Sequence, residues 1–183
     1  MVPSVTSRGK KYKKMPQTLF KEVELMQLTA FYDSRGFFSE IYRKEWQEKP
    51  AVQTNHSFSE KGVIRGMHFQ SHPGQAKYVT VITGAIYDVF VDIRPDSPTF
   101  GQWGAYELHA HNPQLLCIPV GFAHGFAALK PSHVLYQVSS SYDPITEKGF
   151  RYDDPTVKIE WPLSSPIVSD RDRLSPLFYE AFS

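Results

Sequence analysis

The sequence predicts an all-β protein, a sandwich or barrel of short strands. Short apolar runs recur along the chain, and the clearest of them alternate with period two, which is typical of strands with two unlike faces. Turn-forming residues separate these runs, as in residues 94–98, RPDSP. Aromatic residues make up 14% of the 183 residues, which favours a folded, aromatic-rich protein.

Five segments carry the strand pattern. The clearest covers residues 85–93, where apolar side chains alternate with Asp88 and Asp92, so that both carboxylates lie on one face. A second strand over residues 134–139 points Tyr136 and Leu135 in opposite directions. Further strands are predicted over residues 75–82, 104–108 and 115–119, and helical patterns are confined to residues 43–48 and to a segment after Ser175.

The length is that of one domain, which we expect over residues 17–183. Residues 1–16 read as a basic, flexible tail. The tail holds five of the 20 basic residues, so the other 15, against 19 acidic residues, leave a mildly acidic body of charge −4. A body of that charge does not favour nucleic acid as a partner. The five tail residues are Arg8, Lys10, Lys11, Lys13 and Lys14.

The single cysteine, Cys117, excludes an intrachain disulfide and a cysteine zinc cluster. A reducing cytoplasm is therefore the expected location. No apolar run approaches the ~18 residues that cross a bilayer, and the basic N-terminus lacks the apolar segment of a signal peptide. We expect no membrane partner.

Polar side chains that bind phosphate or move protons are concentrated in residues 53–70. Burying such groups without partners is costly, so their density in a strand-forming stretch indicates a site. Arg65 and His68, if they project into a barrel mouth, combine a phosphate clamp with a group that takes up protons near neutral pH. Two further segments carry candidates, residues 118–126 with His124 and residues 134–137 with Tyr136.

Taken together, these segments resemble the dTDP-4-dehydrorhamnose 3,5-epimerases from about Phe31 to Asp172. Many matches in the same order make a chance similarity untenable. The matching stretches are residues 33–40, 53–70, 92–94, 97–101, 121–126, 153–155 and 159–162.

The resemblance implies a cupin-type β-sandwich, or jelly-roll barrel, in a strand-exchanged homodimer that binds a dTDP-sugar and needs neither cofactor nor metal. By similarity, His68 is the base that removes a proton from the sugar, and Tyr136 is the acid that returns one to the opposite face. Asp172 orients the histidine, and Lys77 stabilises charge on O4. The substrate contacts implied are Gln53, Asn55, Arg65, His124, Glu147 and Arg171, with Arg35 and Glu40 supplied by the partner subunit.

The implied reaction is the epimerisation of dTDP-4-keto-6-deoxyglucose at C3 and C5 to dTDP-4-keto-L-rhamnose. A carbonyl at C4 acidifies the protons on both carbons, so one base and a cation near O4 suffice to form an enolate. Neutral imidazole accepts a proton at physiological pH, whereas tyrosine, with a pKa of about 10, stays protonated and donates. A relative that inverts only C3 or C5 carries the same motifs and stays open as an alternative.

Several choices stay open at this stage. Tyr142 is a rival to Tyr136 as the acid, and Asp170 is a rival to Asp172 as the histidine partner. The chain departs from the commonest family pattern at Arg171, where many members have lysine, and at Met67, where leucine is usual; both bear on substrate fit.

Two rival functions belong to other classes. His109 and His111 share a strand face, as in metal-binding cupins, but Asn112-Pro113 reads as a turn and no carboxylate follows at the usual spacing. A non-catalytic sugar-nucleotide-binding cupin needs no acid and base, so the presence of His68 and Tyr136 disfavours it.

Overall fold

The computed structural model describes residues 12–14 and 19–182. Its strands form two main sheets and one separate hairpin. The strands are β1 (Tyr12–Lys14), β2 (Glu24–Leu28), β3 (Ala30–Asp33), β4 (Gly36–Ser39), β5 (Gln53–Ser59), β6 (Val63–Gln70), β7 (Lys77–Thr83), β8 (Ala85–Asp92), β9 (Trp103–His109), β10 (Gln114–Ile118), β11 (Phe122–Ala128), β12 (Ser132–Val138), β13 (Glu147–Gly149) and β14 (Ile167–Val168).

The first sheet has the order β1-β2-β10-β7-β12-β5, and the second has the order β13-β6-β11-β8-β9. Strand β14 lies beside β6 in parallel, whereas the other pairings are antiparallel. Strands β3 and β4 form a hairpin of their own. In the described part of the chain, helical structure is limited to the α-helix α1 (Asp170–Arg173) and two 3₁₀ turns, Lys44–Trp46 and Tyr179–Phe182. The prediction of an all-β sandwich with a few short helices is confirmed.

The five predicted strands are all present as β7, β8, β9, β10 and β12, with ends displaced by one or two residues. The two expected helical segments exist only as 3₁₀ turns, and the sequence patterns missed α1, which precedes Ser175. Most of the predicted tail of residues 1–16, namely residues 1–11 and 15–16, lies outside the described residues. Residues 12–14 pair along β2, with Tyr12 opposite Leu28. Among the described residues no helix has the length and apolar character needed to cross a membrane.

A cluster of aromatic side chains fills the space between the sheets. Phe20, Phe90 and Phe122 pack edge to face, with ring centroids 5.3 to 6.1 Å apart, a favourable arrangement for aromatic pairs. Phe126 belongs to this core, and Tyr136 packs against it. Both side chains also line a cavity that opens between the two sheets, so the aromatic core forms the floor of that cavity.

Strand β8 has the two faces that its alternation predicts, but both faces are buried. Val89 and Val91 pack into a second apolar layer with Phe150 and other residues on the outside of the second sheet. Asp88 and Asp92 lie on the inner face and are both fully buried. Buried carboxylates need hydrogen-bonding partners, and each of the two has a set of its own.

Asp92 holds together the turn that follows β8. Its carboxylate accepts hydrogen bonds from Arg94 Nε and Nη2 (2.9 and 2.7 Å), Ser97 Oγ (2.5 Å) and Thr99 Oγ1 (2.6 Å). Burial by itself raises the pKa of this carboxyl, but the bonds from Arg94, Ser97 and Thr99 outweigh it and hold the pKa at about 2. The group is therefore ionised throughout the physiological range.

We expect Asp92→Asn to lower the free energy of unfolding by about 2 kcal/mol, because it removes one of the two carboxylates that pair with Arg94, the other being Glu22, and weakens the hydrogen bonds from Arg94, Ser97 and Thr99. Since the folded pKa is depressed, this stabilisation is present above the usual carboxyl pKa of 3.8 and is lost as the pH falls toward about 2. Urea denaturation at pH 7 measures the effect. Asp96→Asn, an exposed carboxylate in the same turn, is the control; equal stability of the two variants contradicts the prediction.

Candidate active site

One cavity of about 580 Å³ opens between the two sheets. Ten of the twelve predicted site residues line it, and they come from strands of both sheets and from the C-terminal segment. Those ten are Gln53, Asn55, Arg65, His68, Lys77, His124, Tyr136, Glu147, Arg171 and Asp172.

A bulge in β6 brings Arg65 and His68 to the same cavity. Residues three apart on a regular strand point to opposite faces, but the pairing of β6 with β11 shifts by one residue between His68–His124 and Arg65–Phe126. The extra residue re-aims the side chains, as bulges do. Strands β6 and β11 lie close together at this bulge, because a Cβ on Gly66 would lie 2.6 Å from the Cα atom of Gly125.

His68 is held by Asp172, which the short helix α1 presents. Ser169 caps this helix by accepting a hydrogen bond from the Asp172 amide at 3.1 Å. The buried carboxylate bonds His68 Nε2 at 2.7 Å and the Gly66 amide at 3.2 Å. This arrangement leaves Nδ1 of His68 as the basic nitrogen. Asp170, the rival partner, is instead exposed and pairs with Arg173.

Burial and hydrogen bonding act in opposite directions on the pKa of Asp172. Burial by itself raises the pKa of the carboxyl, but the hydrogen bond from His68, assisted by the Gly66 amide, holds it below its usual range. Asp172 therefore stays ionised next to the imidazole and favours the protonated form that His68 would adopt after taking a proton.

Lys77 contacts the backbone of His68. Its Nζ donates a hydrogen bond to the backbone oxygen of His68 at 3.1 Å, and its side chain is buried. Burial lowers the pKa of the Lys77 ammonium to about 8, while Glu147 and Asp88 oppose that shift. A partly dehydrated cation of this kind stabilises a developing oxyanion strongly.

Asp88, which sequence reasoning did not select, does not line the cavity but holds His124, which does. Both of its oxygens lie 2.9 Å from His124 Nε2, and the carboxylate is fully buried. Burial raises the pKa of Asp88, whereas His124 and Lys77 lower it. The alternation of β8 already placed Asp88 opposite the apolar face, and that pattern was the available signal.

Two phenols reach the cavity. Tyr136 projects from β12 in the first sheet, across from β6 of the second sheet, and burial raises its pKa above that of a free phenol. Tyr142 also lines the cavity but is half exposed. Both tyrosines thus remain geometrically possible acids, and Tyr136 is the one that shares the aromatic floor.

Amide and cationic groups form the remaining polar wall. Gln53 Nε2 donates to Asn55 Oδ1 at 2.7 Å, and Arg65 Nε donates to Ser59 Oγ at 2.9 Å. Arg171 and Glu147 form an ion pair. The Ser57 hydroxyl, which sequence reasoning did not select, is buried in the cavity wall and has no hydrogen-bond partner within the described part of the chain.

Arg35 and Glu40 do not line this cavity. Arg35 lies at the tip of the β3–β4 hairpin, exposed, and its guanidinium pairs with Asp33 at 2.5 Å. Glu40 follows the hairpin and pairs with Arg43. Neither residue reaches the site of its own chain, so their predicted contact with substrate depends on a partner subunit.

The histidine pair considered for metal binding lies at the end of β9. His109 contacts Glu107, with 3.2 Å between Nε2 and Oε2, and its ring lies 5.2 Å from that of His111. Neither histidine lines the cavity. Across residues 12–14 and 19–182, no three or more His, Cys, Asp or Glu side chains are grouped so that they could hold a metal ion.

The fold and the site define a cupin-type β-sandwich whose cavity holds an imidazole–carboxylate pair, a buried ammonium and phenols. The family model of the dTDP-4-dehydrorhamnose 3,5-epimerases matches residues 17–180. The chain belongs to that family, and this membership makes it an isomerase.

Individual proteins agree with this membership. A Neisseria gonorrhoeae protein named dTDP-4-dehydrorhamnose 3,5-epimerase is 43% identical over 85% of this chain; the chain spans about half of that relative, 49% of its length. The crystal structure of dTDP-4-dehydrorhamnose 3,5-epimerase from Bacillus anthracis, with TDP and PPi bound, is 44% identical, with a TM-score of 0.87 over 91% of this chain and 99% of that one. A 3'-monoepimerase from Streptomyces bikiniensis, in complex with dTDP-quinovose, is 32% identical, with a TM-score of 0.85 over 92% of this chain and 89% of that one.

Proposed function

We propose that this protein inverts C3 and C5 of dTDP-4-keto-6-deoxyglucose and so forms dTDP-4-keto-L-rhamnose. One observation carries the proposal: His68 stands on β6 of one sheet, Tyr136 stands on β12 of the other, and both open into the same cavity. A sugar ring held between the sheets meets a base on one side and an acid on the other. Removal of a proton from one face and its return to the opposite face is epimerisation.

In the first step, His68 Nδ1 takes the proton from the carbon beside the keto group. The electron pair of the broken C–H bond moves into the enolate, and its charge develops on O4. Lys77 supplies the cation for that charge, and Asp172 stabilises the imidazolium that forms. These steps use side chains alone, which is why we expect no cofactor.

In the second step, the Tyr136 hydroxyl delivers a proton to the other face of the same carbon. Its raised pKa, caused by burial, keeps the phenol protonated until the enolate is present. Repetition at the second carbon completes the double inversion. The guanidinium groups of Arg65 and Arg171 on the cavity wall suit a diphosphate, to which arginine bonds in a bidentate manner.

Incubation with the 4-keto substrate in deuterated water, followed by NMR, tests this function. The proposal predicts deuterium at both C3 and C5, with inverted configuration. The Streptomyces bikiniensis relative, a 3'-monoepimerase with the same fold, makes a single inversion the second candidate, and label at one carbon only supports it. Folded protein that introduces no label contradicts epimerisation altogether.

The protein is further proposed to act in the cytoplasm as a strand-exchanged homodimer. The β3–β4 hairpin exposes four large aromatic side chains, which is unusual for a surface that stays in water. Strand β5 is an edge of the first sheet within the described residues, and it carries Gln53, Asn55 and Ser57 of the cavity wall. Pairing of a hairpin with such an edge is a common mode of association. The aromatic side chains are Phe31, Tyr32, Phe37 and Phe38, each at least half exposed.

Docking of this hairpin against β5 of a second copy would bring Arg35 and Glu40 close to the partner's cavity. Subunit complementation tests this arrangement. Mixed and reassociated Arg35→Ala and His68→Ala chains are expected to recover about a quarter of wild-type activity, because half of the dimers are mixed and each mixed dimer holds one intact site. If Arg35 acts within its own chain, mixing restores no activity above that of the separate variants.

A further inference from the structure

The C-terminal segment, residues 169–182, carries Asp172 near its start. Asp172 belongs to α1, which has only four residues. A single helical turn has little stability of its own, because fixing its backbone costs more free energy than its few hydrogen bonds return. The 2.7 Å contact between Asp172 and His68 Nε2 therefore depends on what holds the segment on either side of α1.

Two attachments hold the segment. Upstream of α1, strand β14 pairs with the start of β6. Downstream of α1, the side chain of Phe178 is only 1% exposed. Its ring packs edge to face on Phe150, with 5.0 Å between the ring centroids, and lies 5.2 Å from the rings of Phe100 and Phe182. Asp172 lies between these two attachments along the chain.

The downstream attachment is tied to the strand that carries His68. Phe150 follows β13, and its backbone exchanges two hydrogen bonds with Met67, the residue before His68, each 3.1 Å long. The ring on which Phe178 packs is therefore fixed to β6 next to the imidazole. A displacement of Phe178 would move the downstream end of the segment relative to that strand.

Asp154 fixes the backbone of Phe178. Asp154 is 2% exposed, and its Oδ2 accepts a hydrogen bond from the Phe178 amide at 2.7 Å. Its Oδ1 accepts from the amides of Thr156 and Val157 at 2.8 and 3.0 Å. A buried carboxyl group is costly unless it is hydrogen-bonded, and these bonds join the loop after β13 to the C-terminal segment. Asp154 does not line the candidate active site, and the steps described above do not use it.

We propose that Asp154 is a positioning residue, which acts through Phe178 to hold Asp172 at hydrogen-bonding distance from the His68 imidazole. The inference rests on the proposed function, in which His68 is the base. A misplacement of about 1 Å at the reacting groups, caused by a change far from them, costs about 10²-fold in rate. Asp154 thus contributes to the rate without contact to the sugar.

Replacement of Asp154 by asparagine tests the inference. Asp154→Asn keeps the size of the side chain but replaces one acceptor oxygen by an NH₂ group, which cannot accept from an amide. In either orientation of the new side chain, the link between Phe178 and the loop is broken. We expect exchange of the substrate protons in deuterated water to slow by about 10²-fold. The matched control is Asp153→Asn, whose carboxylate is partly exposed and pairs with the side chain of Arg151; it should exchange at the wild-type rate.

A double-mutant cycle separates positioning from general destabilisation. If Asp154 acts through Asp172, Asp154→Asn causes no further loss in an Asp172→Ala background. A loss by the same factor in both backgrounds, or wild-type exchange in Asp154→Asn, overturns the inference. If Asp154→Asn does not fold, Phe178→Leu, which keeps an apolar side chain but loses the ring contacts, is compared in the same two backgrounds with the same expectation.

A measurement without substrate keeps failure of this inference apart from failure of the proposed function. Nitrogen NMR of protein that contains isotope-labelled histidine reports which nitrogen of His68 carries the proton, and His68→Ala assigns the signal. We expect the Nε2–H tautomer in wild type and in Asp153→Asn, and a mixture of tautomers in Asp154→Asn. An unchanged tautomer in Asp154→Asn overturns the inference, whereas wild-type protein that exchanges no substrate proton contradicts the function.

Discussion

His68→Ala is expected to abolish exchange of the substrate's C3 and C5 protons with solvent, with a loss of about 10³-fold or more in rate. No other imidazole in the cavity can replace this one, because His124 is directed to the buried Asp88 at 2.9 Å. The side chain of His68 is partly exposed, so its truncation removes little of the apolar core. NMR of the recovered substrate after incubation in deuterated water gives the rate.

The control for this variant is His111→Ala, which removes an exposed histidine after β9, outside the cavity. We expect the control to exchange at the wild-type rate and both variants to unfold as cooperatively as wild type. Retained exchange in His68→Ala would show that another group is the base.

Replacement of Lys77 is expected to have the next largest effect. Lys77→Met keeps a side chain of similar length in a buried position but removes the cation near O4, and we expect a loss of about 10²–10³-fold in kcat, as for other oxyanion-stabilising groups. Burial of the ammonium is unfavourable, so the variant should unfold at a denaturant concentration no lower than wild type. Lys130→Met, at an exposed position, is the control. Wild-type kcat in Lys77→Met contradicts the assigned role.

The Lys77 ammonium also predicts how the activity depends on pH. Because the Lys77 pKa is lowered to about 8, the cation is present below that pH and is lost as the pH rises through it. Activity should therefore fall as the pH rises through about 8. The residual activity of Lys77→Met should not show this fall. The unfolded chain holds this proton up to about pH 10.5, so the contribution of Lys77 to stability becomes more favourable between about 8 and 10.5.

Alternation predicted the two faces of β8, but β5, whose side chains alternate between half-buried and exposed, was not predicted as a strand. In β8 it separated Val89 and Val91 from Asp88 and Asp92 correctly, because the side-chain period of a strand is fixed by backbone geometry. It did not indicate that the aspartate face is buried. That outcome depends on His124 and on the Asp92 turn, whose residues meet only after the strands pair. Strand β11, all of whose residues are buried, lacks alternation and was not predicted as a strand.

The candidate site was predictable as a set of residues but not as an arrangement. Nothing in the sequence announces the bulge that brings Arg65 and His68 to one side of β6. Helix α1 is a single turn of DRDR without an apolar face, so no periodicity could reveal it; the capping residue Ser169 was the only local signal. The family resemblance had given Asp172 rather than Asp170 as the neighbour of His68, and the fold places Asp172 there.

The most direct test of acid and base on opposite sides of the sugar is Tyr136→Phe in deuterated water, compared with Tyr142→Phe. With Tyr136 absent, His68 still removes the proton and can only return one to the same face, so we expect deuterium at the reacting carbon with retained configuration. Tyr142→Phe should still invert. Inversion at the wild-type rate in Tyr136→Phe, or retention in Tyr142→Phe, would contradict the assignment of Tyr136 as the acid opposite His68.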